Sequence, residues 1–416
     1  MGLSSLPDRP LKWSHRVVQL LFALATSGFR IRLDFSDGQK CELGPNDMPV
    51  AVAVRPPDLW ETIWIFLNPG LRTGESFMKG RWAVTEGSLV TFLRIIQTPR
   101  HGIYSTAYRS LSNWRGPIFQ IRQKLFTEWN RRQNADHYNV GNAVYGRMLD
   151  SSSQYSCAFF SLSEKNDLES AQQTKLRVTI ERLHIDRPNL KIVDIGCGFG
   201  ALAARLAEMP GNHNVTGITQ SSDQLKVAIS RSRSLPIEIQ KRLSYFLDDY
   251  RKYFNSSNNC FDRIVSIGMF EHVGLGRHRH FFRTIEASLA ADGRALVHSI
   301  VSPAPGSCNE WIRRYIFPGS FLPSVAEFIA AAEKSKLIVD AIHIHPPSDY
   351  RKTIQSWRDR FEAAWPAIHG ENYTIYDEVF KRMWLFYLAA VETIFTEDLM
   401  NYRIAQIELR KAPSTP

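Results

Sequence analysis

The chain has 416 residues, 44% of them hydrophobic and ten of them tryptophan, so it can bury two cores and is not a disordered chain. Its five cysteines, at 41, 157, 197, 260 and 308, are an odd number without CxxC spacing, which argues against a disulfide framework or a zinc ribbon and for a reducing compartment. The net charge of +10 favours anionic partners, meaning nucleic acid, nucleotides or phospholipid headgroups, without choosing among them.

The start carries Asp8, Arg9, Lys12 and Arg16, and no small-residue cleavage site follows the apolar run at 17–29. That run and the one at 383–395 fall short of the roughly 20 residues a membrane crossing needs. The expected location is therefore cytoplasmic, with any membrane contact peripheral. Residues 29–55 alternate like short strands around a Ser36-Asp37-Gly38 turn. From Pro57 the pattern turns helical through Leu59, Ile63 and Phe66, with Pro69-Gly70 expected to close the helix. Helices are also expected at 88–98 and 117–130, and residues 113–132 read as a basic amphipathic connector. This makes a small α+β unit, assigned to residues 1–125, ahead of a second domain at 126–416.

From about residue 170 strands and helices alternate. Strands are expected at 190–195, 215–218, 261–266 and 294–300, and helices at 201–207, 222–231, 280–289 and 325–334. Such alternation means a doubly wound parallel sheet. The tail at 349–409 reads as mostly helical with an aromatic stripe (Trp357, Phe361, Trp384, Phe386, Tyr387), which reads as core with room for part of an acyl channel.

The first strand of this part runs into Val193-Asp194-Ile195-Gly196-Cys197-Gly198-Phe199-Gly200. Glycines at 196, 198 and 200 permit a tight turn and close backbone approach to a ligand. The next strand ends at Thr219, without the Asp or Glu that dinucleotide enzymes place against ribose hydroxyls. Thr219 and Gln224 are the polar candidates there, which disfavours NAD and favours S-adenosylmethionine.

A set of ordered motifs now carries a resemblance: HYNVGN at 137–142, YSCA at 155–158, the glycine loop, GIT at 217–219, DYR at 249–251, FDRIVSIGMFEHVG at 261–274, YIFPG at 315–319, LPS at 322–324 and Tyr350. The chain resembles the cyclopropane fatty acid and mycolic acid cyclopropane synthases over about 130–416. GESFMKGRW at 74–82 is similar to the lipid-carrier-like domain of their longer members.

The resemblance implies a Rossmann-like class I methyltransferase domain with a helical lid or tail. It also implies transfer of a methylene group from S-adenosylmethionine to the cis double bond of unsaturated phospholipid acyl chains. A carbocation would form, and bound bicarbonate would deprotonate it as the ring closes. The bicarbonate cradle would be Cys157, Glu271, His298, Ile300 and Tyr350. The cofactor would meet Tyr155, Ser156, Asp194, Gly196, Cys197, Gly198, Gly200, Thr219, Gln224, Asp249 and Tyr250. Phe159, Phe160, Phe270 and Phe317 are candidates for a cation-stabilising wall, and Glu271, His298 and Tyr350 for one coupled titrating unit.

Taken singly, His298 and Cys157 read as core residues, Glu271-His272 as a helix cap, and the run 277–280 as a solvated basic loop at phospholipid headgroups. Arg131-Arg132 and Lys381-Arg382 read as solvated charges. Three departures from the family pattern stand out: Val391 where relatives carry cysteine, Asp349 where histidine is common, and a polar 151–154. A base acting from bicarbonate needs no thiol nucleophile, so activity is expected to survive Val391. A methyl- or methylene-branched product needs the same cation, and a non-catalytic lipid carrier is the reading of another class. Peripheral contact with anionic membrane is expected and a homodimer is left open. No nucleic acid is expected as partner, because no loop for a flipped base amine is present.

Overall fold

The computed structural model describes residues 10–26, 28–98, 141–256, 260–274, 276–303, 309–396 and 402–413. The expected helix at 117–130, the basic stretch at 113–132 with Arg131-Arg132, residues 137–140 and Cys308 lie outside the described residues. The chain forms two compact units: 1–119 with 309–316 and 365–394, and 120–308 with 317–364 and 395–416.

In the first unit, β1 (Ile31–Asp34), β2 (Lys40–Leu43), β3 (Val52–Arg55) and β4 (Ala83–Glu86) make a sheet of order β2-β1-β3-β4. Val52, Ala53, Val54, Ile31 and Leu33 are buried in it. The helix from Leu59 ends at Leu67, just before Pro69-Gly70 as expected, but Pro69 has a second role. It opens a new helix, Pro69–Met78, directly after Leu59–Leu67, because a proline at the first helical position gives up only an amide that has no partner there. The GESFMKGRW segment supplies Gly74, where a Cβ would come within 2.5 Å of Trp311, and Glu75, which accepts the Tyr315 hydroxyl at 2.8 Å. Trp82 packs on Phe77 and Phe92, and Phe386 of the helix Glu378–Ile394 packs on Phe77 and Trp311. Val391 is buried in that same helix.

The second unit is built on a seven-stranded sheet: β5 (Lys191–Ile195), β6 (Asn214–Thr219), β7 (Leu243–Leu247), β8 (Phe261–Ile267), β9 (Leu289–Val301), β10 (Leu337–His345) and β11 (Arg403–Lys411), in the order β10-β11-β9-β8-β5-β6-β7. The five strands from β9 to β7 are parallel, as the alternation predicts. Three strands differ from the sequence reading, the first being β7, which was not expected. β10 was not anticipated, and β11 is a strand where a helical tail was expected, antiparallel to both neighbours.

Side chains alternate between two cores. Ile264, Ala295 and Val297 pack with Phe270, Phe281, Phe282 and Phe328 on one face, while Val265 and Leu296 pack with Leu176, Leu202 and Leu206 on the other. This alternation places helices on both faces of the sheet and leaves the carboxyl edge of the parallel strands for the site. No helix among the described residues is long and apolar enough to cross a membrane.

Candidate functional site

Strand β5 ends at Ile195, and the chain turns at once into the helix Ala201–Glu208. Gly196 and Cys197 both donate to the Ile218 carbonyl at 2.9 Å, which ties the turn to the end of β6. Gly200 has φ +79°, and a Cβ there would lie 2.6 Å from the Tyr245 hydroxyl and 2.8 Å from Ala228. Gly200→Ala is therefore expected to cost about 1–3 kcal/mol from backbone strain and overpacking together. A thermal melt should show a loss of several degrees, and an unchanged melt would contradict the packing. A Cβ on Gly198 would meet none of the described residues within 4 Å, so among them this turn opens onto space that a ligand can fill.

The remaining predicted cofactor residues are placed as follows. Thr219 donates to Gln224 Oε1 at 2.8 Å, so these two side chains are paired with each other behind the turn. Asp249 is buried, and its carboxylate is held by Arg251 at 2.8 and 2.5 Å. Tyr250 is buried edge-on to Phe281, and burial raises its hydroxyl. Tyr155 packs between Tyr145 and Trp357 at 5.0 and 5.1 Å. Asp194 is buried and pushed up to about 7 by desolvation, with Lys175 opposing the rise. Burial likewise keeps the Cys197 thiol protonated.

Lys175 was not anticipated. It projects from the helix Leu168–Arg182, is 2% exposed, and donates to Ser156 Oγ at 2.6 Å. Desolvation lowers it to about 8, while Asp150, Cys157 and Asp194 pull the other way. Gln172, one turn earlier, donates to the Gln154 and Ser156 carbonyls at 3.3 and 3.0 Å. The polar stretch before Tyr155 is thereby explained: Asp150 accepts from the Ser152 and Gln154 amides and folds this segment over the helix.

The loop after β8 joins the cofactor turn to the predicted cradle. A Cβ on Gly196 would sit 2.8 Å from Met269, and one on Gly268 would sit 3.7 Å from Ser156. Two residues further on, Glu271 lies in a short helical turn and is no helix cap: its Oε1 accepts the Ile300 amide at 2.6 Å. Its Oε2 is buried with no hydrogen-bond partner among the described residues, and desolvation lifts the carboxyl to about 7 against the opposing pull of the Ile300 amide and Ser299. His298, on β9, is 1% exposed, and burial with Lys175, His345 and Arg182 nearby drives it well towards the neutral ring. The charged neighbours that act on His298 here are Lys175 and Arg182.

Cys157 is buried, its thiol donates to the Ala158 carbonyl at 3.3 Å, and desolvation holds it protonated. Among the described residues no acceptor takes the Cys157 N–H. Tyr350 is buried against Phe395 at 4.5 Å. Its neighbour Asp349 accepts the Ser161 amide and hydroxyl at 2.7 and 2.8 Å and faces His345, so this departure is a structural acceptor.

Two expectations need correction. Phe270 packs with Phe281, Phe282 and Phe328 in the core and does not line a cation wall. The run at 277–280 is not a solvated loop throughout, because His278 opens the helix His278–Ser288 and is buried on Phe270 at 4.5 Å.

The geometry thus unites a glycine turn open to a ligand, a near-neutral carboxyl and a neutral imidazole at one sheet edge. Residues 126–406 match the mycolic acid cyclopropane synthetase family model. The chain belongs to this family. It is 34% identical over 362 residues to the cyclopropane-fatty-acyl-phospholipid synthase of Escherichia coli (strain K12), covering 86% of this chain and 87% of that one. It is 28% identical over 418 residues to tuberculostearic acid methyltransferase UfaA1 of Mycobacterium tuberculosis, covering 96% and 93%. Among solved structures it is similar to mycolic acid cyclopropane synthase CmaA1 complexed with SAH and CTAB, with a TM-score of 0.59 and 27% identity over 68% of this chain and 98% of that one. As a member of the family, the chain is a Rossmann-like methyltransferase enzyme.

Proposed function

We propose that the protein forms cyclopropane rings on the cis double bonds of unsaturated phospholipid acyl chains. The observation that carries this reading is the loop 268–271, which bridges the glycine turn and a nearly neutral, half-satisfied Glu271. S-adenosylmethionine, when bound at the turn of Gly196, Gly198 and Gly200, supplies the sulfonium methyl that the double bond attacks. Bicarbonate, when bound, supplies the base for the resulting cation.

The residues assigned to that anion fit it in three ways. Among the described residues the Cys157 N–H and Glu271 Oε2 have no partner, and a neutral His298 adds a donor without adding charge. Burial raises Glu271 to about 7, so its protonated form is accessible near neutral pH and can donate from Oε2 while Oε1 stays on the Ile300 amide. Tyr155, Ser156, Asp194, Cys197, Thr219, Gln224, Asp249 and Tyr250 are assigned to the cofactor, and Tyr350 to the cradle. Cofactor carrying a labelled methyl, incubated with vesicles of cis-monounsaturated phospholipid, should leave label in the acyl chains. Bound cofactor with no label in the lipid would contradict the reading. The likeness to UfaA1 favours a second reading, in which the same cation ends as a methyl-branched chain.

Membrane contact is proposed for the first unit. Trp13, Leu20 and Leu24 lie exposed on the helix Trp13–Ala25, and Trp60, Trp64 and Leu67 on the helix Leu59–Leu67. Spacings of three, four and seven residues put each set on one helical face. Arg72 reaches over Trp64, setting a cation beside that face. Replacing Trp60 and Trp64 by serine should weaken binding to anionic vesicles at least tenfold, since burying one such ring contributes about 1.5–3 kcal/mol. Unchanged cosedimentation with vesicles would place the docking face elsewhere. Binding should also weaken with added salt, which shortens screening to about 8 Å at physiological ionic strength.

A further inference from the structure

We propose that Arg182 and Gln406 form a positioning pair that locks His298 as its Nε2–H tautomer, making Nε2 a hydrogen-bond donor rather than a base. The use of that proton rests on the functional reading above, whereas the tautomer follows from contacts alone. A guanidinium has donors only. Arg182 Nη1 donates to Gln406 Oε1 and, at 3.1 Å, to His345 Nε2. With its oxygen turned to Arg182, the Gln406 amide presents Nε2 to His298 Nδ1 at 3.3 Å. A donating amide requires an accepting Nδ1, so the ring proton sits on Nε2.

The arrangement is built into the sheet. Gln406 and His298 face each other in the register of β11 and β9, and Gln406 is steadied by Thr179 Oγ1 at 3.4 Å. The same guanidinium sets the second histidine. His345 accepts at Nε2, so its Nδ1 carries a proton and faces Asp349 Oδ2 at 3.5 Å. Phe159 stacks on both rings, at 3.8 Å from His345 and 6.0 Å from His298. One partly buried cation thereby fixes proton positions on two imidazoles.

The chemistry explains why a neutral donor serves here. An imidazolium would give its proton to a bound bicarbonate and destroy the base, and an Nδ1–H tautomer would turn a lone pair on the anion. Only the neutral Nε2–H form binds the anion and leaves its basicity intact.

Protein labelled with 15N-histidine tests this directly, with the His298 signals assigned by their loss in His298→Gln. The wild-type spectrum should show protonated Nε2 and unprotonated Nδ1. Gln406→Glu offers only acceptors and should move a proton to Nδ1. That variant should lose about a hundredfold in kcat, as for removal of one oxyanion donor, with KM for the cofactor unchanged. A wild-type proton on Nδ1 overturns the proposal, as does a Gln406→Glu enzyme that keeps both the Nε2–H signature and normal kcat. The wild-type spectrum decides the tautomer even where a variant fails to fold. An Nε2–H signature in a chain that makes no ring would remove the functional reading and leave the tautomer assignment standing.

Discussion

Replacing Glu271 by glutamine is expected to slow turnover at least about a hundredfold, the usual cost of losing one proton-transfer group. Cofactor affinity should stay unchanged, because the glutamine carbonyl can still accept the Ile300 amide that Glu271 Oε1 now holds. The same substitution should stabilise the fold in a pH-dependent way. Burial raises the Glu271 carboxyl from 4.5 to about 7, so the native state holds this proton more tightly than the unfolded chain. The stability this provides is complete below the unfolded value and is lost as pH rises through about 7. The full loss is about 3 kcal/mol from a shift of this size. Glutamine cannot ionise and escapes that loss. Urea denaturation should therefore find Glu271→Gln more stable than wild type at about pH 8, with the two converging near pH 4. Equal stabilities at both pH values would show that the carboxyl is solvated in the native protein, and normal turnover would remove Glu271 from the chemistry.

Lys175→Met is expected to damage both folding and cofactor binding. Lys175 is a buried cation whose charge acts on the buried Asp194, and it also holds Ser156 Oγ at 2.6 Å. Removing one of two buried charges that offset each other leaves the other uncompensated, at a cost of about 1–3 kcal/mol. Asp194 would respond by rising further above about 7 and becoming neutral at working pH. A lost charge-assisted contact in the cofactor turn is worth about 1.5–3 kcal/mol, so calorimetry should find S-adenosylmethionine bound at least about tenfold more weakly. The double variant Lys175→Met with Asp194→Asn should recover stability relative to Lys175→Met alone, since the buried charge is then gone. Strict additivity of the two single losses would show that the residues do not interact.

The pattern of what was legible in the residues has a physical basis. The turn at Gly196–Gly200 was readable because its determinants are local: a buried apolar strand, then glycines, then a helix. The parallel strands β5, β6, β8 and β9 were readable for the same reason, whereas β7 was not anticipated. Strand β11 was not, because the tail at 349–409 read as one mostly helical stretch and the strand's partner β9 lies far away in sequence. Gln406 and His298 are 108 residues apart, and only the folded sheet makes them neighbours.

Lys175 was missed because a lysine on a polar-looking helix reads as solvent-facing. The available signal was the spacing of Gln172, Lys175 and Thr179, which repeats the buried apolar face of Leu168, Ala171, Leu176 and Val178. Phe270 was misjudged the other way. Its closeness to Glu271 in sequence suggested the site, yet side chains of adjacent residues diverge, and Phe270 fills the core.

The measurement that bears most directly on the central claim is proton NMR of lipid extracted after incubating the protein with S-adenosylmethionine and cis-monounsaturated phospholipid vesicles. Resonances upfield of the ordinary methyl region, from ring methylene protons, are the predicted result. Cofactor consumption with only vinylidene or branched-methyl signals would contradict ring formation and assign the enzyme to the branching chemistry instead.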